Sequence, residues 1–326
     1  MSIHRLLPLA AVILLFTGAA PQLMAAPPAD LPRPATDAAK WQGEYQGPSN
    51  YQMLIGLQVK AVGEGRFQAR LFEGGLPGNG WCGDRPVHEL AGTADGRLLT
   101  LRGGEWVVAI RYPYATVYHR GGSYIAGLTK VVRSSPTFGA APPPGAIVLF
   151  DPKSPSLGEL QDARLTADSL LARGAQTRRT FRDFRLHVEF RTPAMPTARG
   201  QQRGNSGIYL QRRYEVQILD SFGDAPAFNG AGSIYRTRPP NINMSFPPGQ
   251  WQTYDIEFFA ARFDACGTKV APAVVSVWHN GVLIHYRFPL PNKTGAGQPE
   301  GPEAGPVLFQ DHRDNVVYRY AWIVPL

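Results

Sequence analysis

Between Phe181 and Arg191 the apolar Phe184, Leu186, Val188 and Phe190 alternate strictly with Arg185, His187, Glu189 and Arg191. Successive side chains of a strand point to opposite faces, so this period of two predicts a strand with one face in a core and the other outside it. The same period returns where Tyr254, Ile256 and Phe258 alternate with Asp255 and Glu257. Val275 to Tyr286 reads as two strands about Asn280-Gly281, a pair that tolerates the positive φ of a tight hairpin turn. With 35 Gly, 30 Pro and only 18% charged residues, the chain reads as many short strands joined by tight turns. The predicted class is all-β, with a two-sheet antiparallel sandwich in the C-terminal half.

A chain of this length exceeds one comfortable core, so two domains are expected. His4 and Arg5 precede an apolar run from Leu6 to Phe16, followed by small residues to Ala26. That pattern predicts a secretory signal peptide over residues 1–26 and export to the periplasm or beyond. The run falls short of the roughly 20 residues of a membrane span, and no later segment supplies one. A Pro/Ala-rich tether is expected over 27–37, a small β domain over 38–134, a Pro-rich linker over 135–145 and the sandwich over 146–326. In the Gly-rich loop Glu73 to Asp84, Trp81 reads as a plug for the end of the first domain, with a sugar-stacking platform as the other reading. Export permits a disulfide between Cys82 and Cys266 if the fold brings them together. The net charge of +8 is spread over strands and turns with no dense basic stripe, which argues a solvated surface rather than nucleic-acid binding.

Chemistry is concentrated around Tyr214 to Asp220. Tyr214, Val216 and Ile218 share one face of a strand, so Glu215 and Gln217 share the other. Alternation places Asp220 on the core side, and a bulge near Leu219 would return it to the face of Glu215. A Glu-x-Gln-x-x-Asp strand is similar in outline to the Glu-x-Asp-x-x-Glu strand of laminarinase-like retaining glucanases, where one carboxylate attacks carbon one and another donates the proton. Here the middle acid is an amide and the last is one methylene shorter. The preceding stretch Arg203 to Gln211 offers Asn205, Ser206 and Tyr209, an amide, a hydroxyl and an aromatic suited to a sugar. Near the C-terminus stand Gln310-Asp311-His312 and Tyr318-Arg319; His312 exchanges protons near neutral pH, and Asp311 orients it only if a turn breaks their alternation.

The run from Phe184 through EFRTPAMPTARGQQRGNSGIYLQRRYEVQILDSFGD, followed by IYR, PPGQWQTYDIEFFAARFD, VWHNGVLIH and GPVLFQDHRDNVVYR, resembles the 3-keto-disaccharide hydrolase domain family over nearly all of Gly145 to Leu326. GGLPGNGW and RSSPTFGA resemble the extra N-terminal domain of some members. The resemblance implies a concanavalin A-like jelly roll acting on glycosides oxidised to a ketone at carbon three. Such a ketone acidifies the hydrogen at carbon two, so a carboxylate base suffices and no nucleophile is needed. On that reading Glu215 is the base and His312 assists proton transfer. Asp220 and Arg319 support the site, while Asn205, Tyr209, Gln217 and Gln310 contact the sugar. A divalent metal chelated by the ketone and its neighbouring hydroxyl would take Glu215, Asp220 or His312 as ligands. Members with the extension carry Glu-Cys where this chain has Asn229-Gly230-Ala231-Gly232, and Arg-Asn where it has Arg319-Tyr320. A noncatalytic lectin-like sandwich and a retaining glucanase are therefore the alternatives.

Overall fold

The computed structural model describes residues 40–326, so the expected signal peptide and tether lie outside the described residues. Phe184–Arg191 is a strand, paired with Gln252–Phe259 on one side and Val317–Pro325 on the other. Its larger sheet runs on through Ala273–His279 to Val282–Leu290, with Ile147–Phe150 at the opposite edge. A second sheet of five strands runs in the order Leu160–Gln161, Gln176–Thr177, Leu308–Phe309, Ser206–Leu210, Tyr214–Ile218. The two sheets close on one core in which Phe184, Leu186 and Val188 join Ile208, Val216 and Phe309. Ring contacts cross the layers, Tyr214 to Phe258 at 5.6 Å and Phe309 to Tyr318 at 4.9 Å. The chain is thus all-β, a jelly-roll sandwich preceded by a smaller β domain.

The turn foreseen at Asn280-Gly281 joins His279 to Val282, with φ of 49° and 78°. Asn280 also works as a joint, its Oδ1 accepting from the Thr253 amide at 2.9 Å and its Nδ2 donating to Met244 O at 2.8 Å. Gly281 is required twice over, because a Cβ there would lie 2.3 Å from Pro136.

The smaller domain is a closed barrel of eight strands, from Gly43–Pro48 to Tyr124–Val131, in which each strand pairs with the next and the last returns to the first. Closure removes every free edge, and Tyr45, Leu57, Val59, Leu101 and Ile110 fill the interior. Trp81 is buried, donates Nε1 to Arg85 O at 2.9 Å and meets Phe72 edge-on, and both rings belong to the sandwich core. It plugs the seam between the domains, which leaves no ring face open for a sugar. Cys82 and Cys266 are free and exposed, so the disulfide that export would permit does not form. No helix among the described residues is long and apolar enough to cross a membrane.

Arg133 anchors the seam. It is fully buried, bonds both carboxylate oxygens of Glu44 in the barrel, donates to Pro77 O at 2.7 Å and lies over the Phe246 ring of the sandwich. Removing one partner of such a pair leaves a charge stranded in low dielectric. Glu44→Leu is expected to cost about 3–5 kcal/mol in chemical denaturation, and the double variant with Arg133→Met to recover much of it.

Candidate functional site

The outer face of the five-stranded sheet is set out by its register. Tyr209 stands opposite Glu215 on one side and Leu308 on the other, and Gln176 stands opposite Leu308. Beyond the Glu215 strand the segment Gly232–Tyr235 continues the ladder, with Tyr235 N donating to Glu215 O at 3.1 Å and Gln217 N to Ser233 O at 3.0 Å. Residues directly opposite share a face, so Gln176, Leu308, Tyr209, Glu215 and Tyr235 form one row. A parallel row two residues along holds Gln310, Gly207, Gln217 and Ser233. Glu215 is the single carboxylate in these two rows.

Gly207 decides where that carboxylate lies. A Cβ on Gly207 would fall 2.5 Å from Glu215 Oε1, so the bare backbone is the bed on which the carboxylate rests. The Tyr209 hydroxyl donates to Oε2 at 2.7 Å. From above, the loop carrying Thr294 and Gly295 latches onto the hairpin turn through Thr294 N to Arg213 O at 2.9 Å and Gln298 N to Arg212 O at 2.8 Å. Thr294 Oγ1 then takes the Glu215 amide at 2.6 Å, and Gly295 packs closely against Tyr235, Glu215 and Tyr209, where a Cβ would lie 3.0 Å from the Tyr235 ring. The result is an acid only 2% exposed. Burial pushes its pKa up to about 7, against the opposing pull of the Tyr209 hydrogen bond.

Around this acid, polar groups are buried without hydrogen-bond partners among the described residues. Gln176 Oε1, Gln217 Oε1, Ser233 Oγ and Gln310 Oε1 lie in the two rows, and Asn205 Oδ1 stands at the start of the Ser206–Leu210 strand. Unpaired buried oxygens are costly, and a ligand rich in hydroxyls satisfies them. Since a hydroxyl both donates and accepts, the match does not depend on which way each amide is turned. Gln201 ties the group together, accepting from Gln217 Nε2 at 3.0 Å, receiving Asn205 Nδ2 on its carbonyl at 2.7 Å and donating to Asn229 O at 2.8 Å.

Four sequence expectations are corrected. No register shift interrupts the pairing of Ser206–Leu210 with Tyr214–Ile218, so the bulge that would re-aim Asp220 is absent; the strand ends before Leu219. Asp220 is buried against Arg203, Nε to Oδ2 2.6 Å, and serves as a structural anchor. His312 is exposed on the loop after Gln310 and makes no hydrogen bond or ion pair among the described residues; Asp311 turns instead to Arg173 at 2.8 Å. Arg319 lies in the larger sheet, whose outer face points away from Glu215. There it pairs with Glu189 at 3.2 Å and sits 4.5 Å over Phe138. That second face also buries His187, where burial opposes the charge but hydrogen bonds to Asp255 and Glu189 prevail and raise the pKa to about 9. His187 and Glu189 are buried rather than open to solvent because the segment Ser135 to Ala140 lies over them, with Thr137 bonded to Asp255 and Gly139 to Glu189.

The residues that a divalent metal would take stand as follows. Asp220 is committed to Arg203, His312 stands apart on its loop, and no group of three His, Cys, Asp or Glu side chains among the described residues is placed to hold an ion. Sequence reasoning also missed Gln201, Ser233, Tyr235 and the Thr294-Gly295 cover. Tyr235 lay inside the IYR motif, but its proximity to Glu215 depends on a pairing across the strand's outer edge.

A model of the 3-keto-alpha-glucoside-1,2-lyase-like domain matches residues 160–324. The chain belongs to that family. A solved candidate glycosyl hydrolase from Parabacteroides distasonis is 32% identical, covering 56% of this chain and 85% of its own, with a TM-score of 0.52. A second from the same organism is 17% identical over 56% of this chain and 88% of its own, with a TM-score of 0.38. No functionally curated protein matches the chain. The segment Asn229–Gly232 falls beside the site: Gly232 N bonds Gln217 O at 2.9 Å, and a Cβ on Gly232 would lie 2.6 Å from Ile284.

The raised pKa of Glu215 has a consequence for stability. Unfolded, the carboxyl ionises near 4.5; folded, near 7. Between those values the folded state holds a proton that the unfolded state releases, so the group's contribution falls as pH rises through this window and is flat above it. Glu215→Gln removes the effect. Relative to wild type the variant is expected to gain about 3 kcal/mol between pH 4 and pH 8, read by denaturation at each pH.

Proposed function

We propose that this protein cleaves glycosides carrying a ketone at carbon three, with Glu215 as the general base. The observation that carries the reading is a single desolvated carboxylate, its pKa raised to about 7, on a face lined with unpaired amide and hydroxyl oxygens. A base poised near the working pH is what proton abstraction requires. Membership of the 3-keto-alpha-glucoside-1,2-lyase-like family and the likeness to a candidate glycosyl hydrolase support a carbohydrate-directed activity.

Glu215 takes the proton from carbon two, and the electron pair passes into the enolate of the carbon-three ketone. The enolate collapses, the bond from carbon one to the aglycone oxygen breaks, and the departing alkoxide takes its proton from the water that supplies the hydroxyl for the next step. Water then adds its hydroxyl to carbon one, and the protonated Glu215 returns a proton to carbon two. The sum is hydrolysis with the base regenerated. Tyr209 holds the carboxylate in place through Oε2, leaving Oε1 over Gly207 to meet the sugar. Tyr235 supplies an aromatic wall beside Glu215.

A retaining glucanase needs a second carboxylate about 5–5.5 Å from the first. Gln217 occupies the position where that acid would stand, and Asp220 is held by Arg203. A lectin gains nothing from burying an acid that then resists ionisation. The leader pattern at residues 1–26 supports action outside the cytoplasm.

A purified full chain is expected to cleave a 3-keto disaccharide and to leave its unoxidised parent intact. Turnover should rise with pH to a plateau, with a midpoint near 7, because the base works only when ionised. Glu215→Gln should lose roughly 10²–10⁴-fold in kcat while remaining folded. Cleavage of the parent sugar, or full activity in that variant, would contradict the assignment.

A further inference from the structure

The barrel does more than precede the sandwich. Where its strand Leu54–Ala61 ends, three consecutive residues grip the sandwich loops that border the site. Lys60 Nζ reaches both carboxylate oxygens of Asp224 at 2.6 Å, and Gly223 packs on the Lys60 side chain. Arg203 donates through Nη1 to Ala61 O at 3.3 Å, and Arg199 through Nη2 to Val62 O. A further barrel residue, Arg70, donates to Asp224 O at 3.2 Å.

These contacts converge on two loops, Arg199 to Asn205 and Leu219 to Asp224. The loops are locked to each other by Arg203 and Asp220, side chain to side chain at 2.6 Å and Asp220 N to Arg203 O at 3.1 Å. The first loop carries Gln201 and Asn205, and Gln201 in turn fixes Gln217, the neighbour of Glu215 on the working face. Lys60 is itself buried, and its charge is worth keeping there only against a fixed partner.

We infer that the N-terminal barrel is a positioning element of the sugar site: through Lys60, Ala61 and Val62 it holds the loops that place Gln201, Asn205 and Gln217 for binding. Lys60 touches no reacting atom and acts through Asp224. Loosening the clamp therefore weakens substrate binding while leaving the chemistry of Glu215 intact. This inference rests on the proposed site for its kinetic consequence, but its structural half stands independently of the substrate.

The test uses the full chain with Lys60→Met, Asp224→Asn and the conservative Lys60→Arg. Asp224 is half exposed, so Asp224→Asn keeps the test open if Lys60→Met fails to fold. With a 3-keto disaccharide, KM should rise about tenfold in Lys60→Met and Asp224→Asn, with kcat within about twofold and the midpoint of the pH profile unmoved. Lys60→Arg should restore KM toward wild type. In the same variants, amide hydrogen exchange across residues 199–205 should quicken at least tenfold, whereas exchange in the strand Phe184–Arg191 should not. Unchanged KM together with unchanged exchange in a folded variant would overturn the clamp. If wild type fails to cleave the oxidised sugar, the proposed chemistry falls, and the exchange comparison alone decides whether the barrel orders the loops.

Discussion

The site depends on one unfavourable placement: a carboxylate held out of water with a hydroxyl on one oxygen and a glycine beneath the other. Water would ionise Glu215 near 4.5, and burial carries it to about 7. Several features of the surroundings follow from that. A Cβ on Gly207 would displace Glu215 Oε1 from its place, and Gly295, at a φ of 44°, brings the cover loop into close contact with Tyr235 and the Glu215–Tyr209 pair. The hairpin turn at Gln211 and Arg212 accepts left-handed φ of 54° and 55°, and its carbonyls hold the cover in place. Desolvation of an acid at such a spot is a feature that functional sites commonly show.

The sandwich has two outer faces with opposite uses. On the smaller sheet, amides and a hydroxyl are left without partners around the buried acid. On the larger sheet, His187, Glu189, Asp255 and Arg319 pair among themselves beneath the segment Ser135 to Ala140. Charges paired with one another hold a connector in place there, although Glu189 Oε2 has only its ion pair with Arg319 and no hydrogen bond among the described residues. The barrel contacts both regimes, through Arg133 and Glu44 at the seam and through Lys60 and Asp224 at the loops.

Much of the fold was legible because period-two alternation and Gly/Pro punctuation are local signals. Phe184–Arg191 and the Asn280-Gly281 turn lie where the pattern puts them. Glu215 was legible for the same reason, since parity alone puts it opposite the core. What parity cannot give is which sheet a distant strand joins. Arg319 seemed to approach the site because its motif stood near Gln310, yet the chain crosses to the other sheet between Phe309 and Val317. Asp220 was misplaced by a bulge assumed where the strand simply stops. His312 lost its role because the loop after Gln310 is pinned by Asp314 to the Asn205 amide at 2.7 Å and by Asp311 to Arg173, which leaves the imidazole outside. Gln201, Ser233 and Tyr235 depend on long-range pairing and were hidden from any local pattern.

Proton abstraction by Glu215 from carbon two leaves an isotopic record that neither nucleophilic displacement nor simple binding produces. Cleavage of a 3-keto disaccharide in deuterated water, with the product analysed by NMR or mass spectrometry against an enzyme-free control, reads it directly. The expected product carries deuterium at carbon two in the turnovers in which the base exchanges its proton with solvent before returning it, and a substrate deuterated at carbon two is expected to be cleaved several-fold more slowly than its protiated parent. A product that retains the original hydrogen at carbon two, together with no slowing by deuterium at that carbon, would contradict the elimination route and, with it, the role assigned to Glu215.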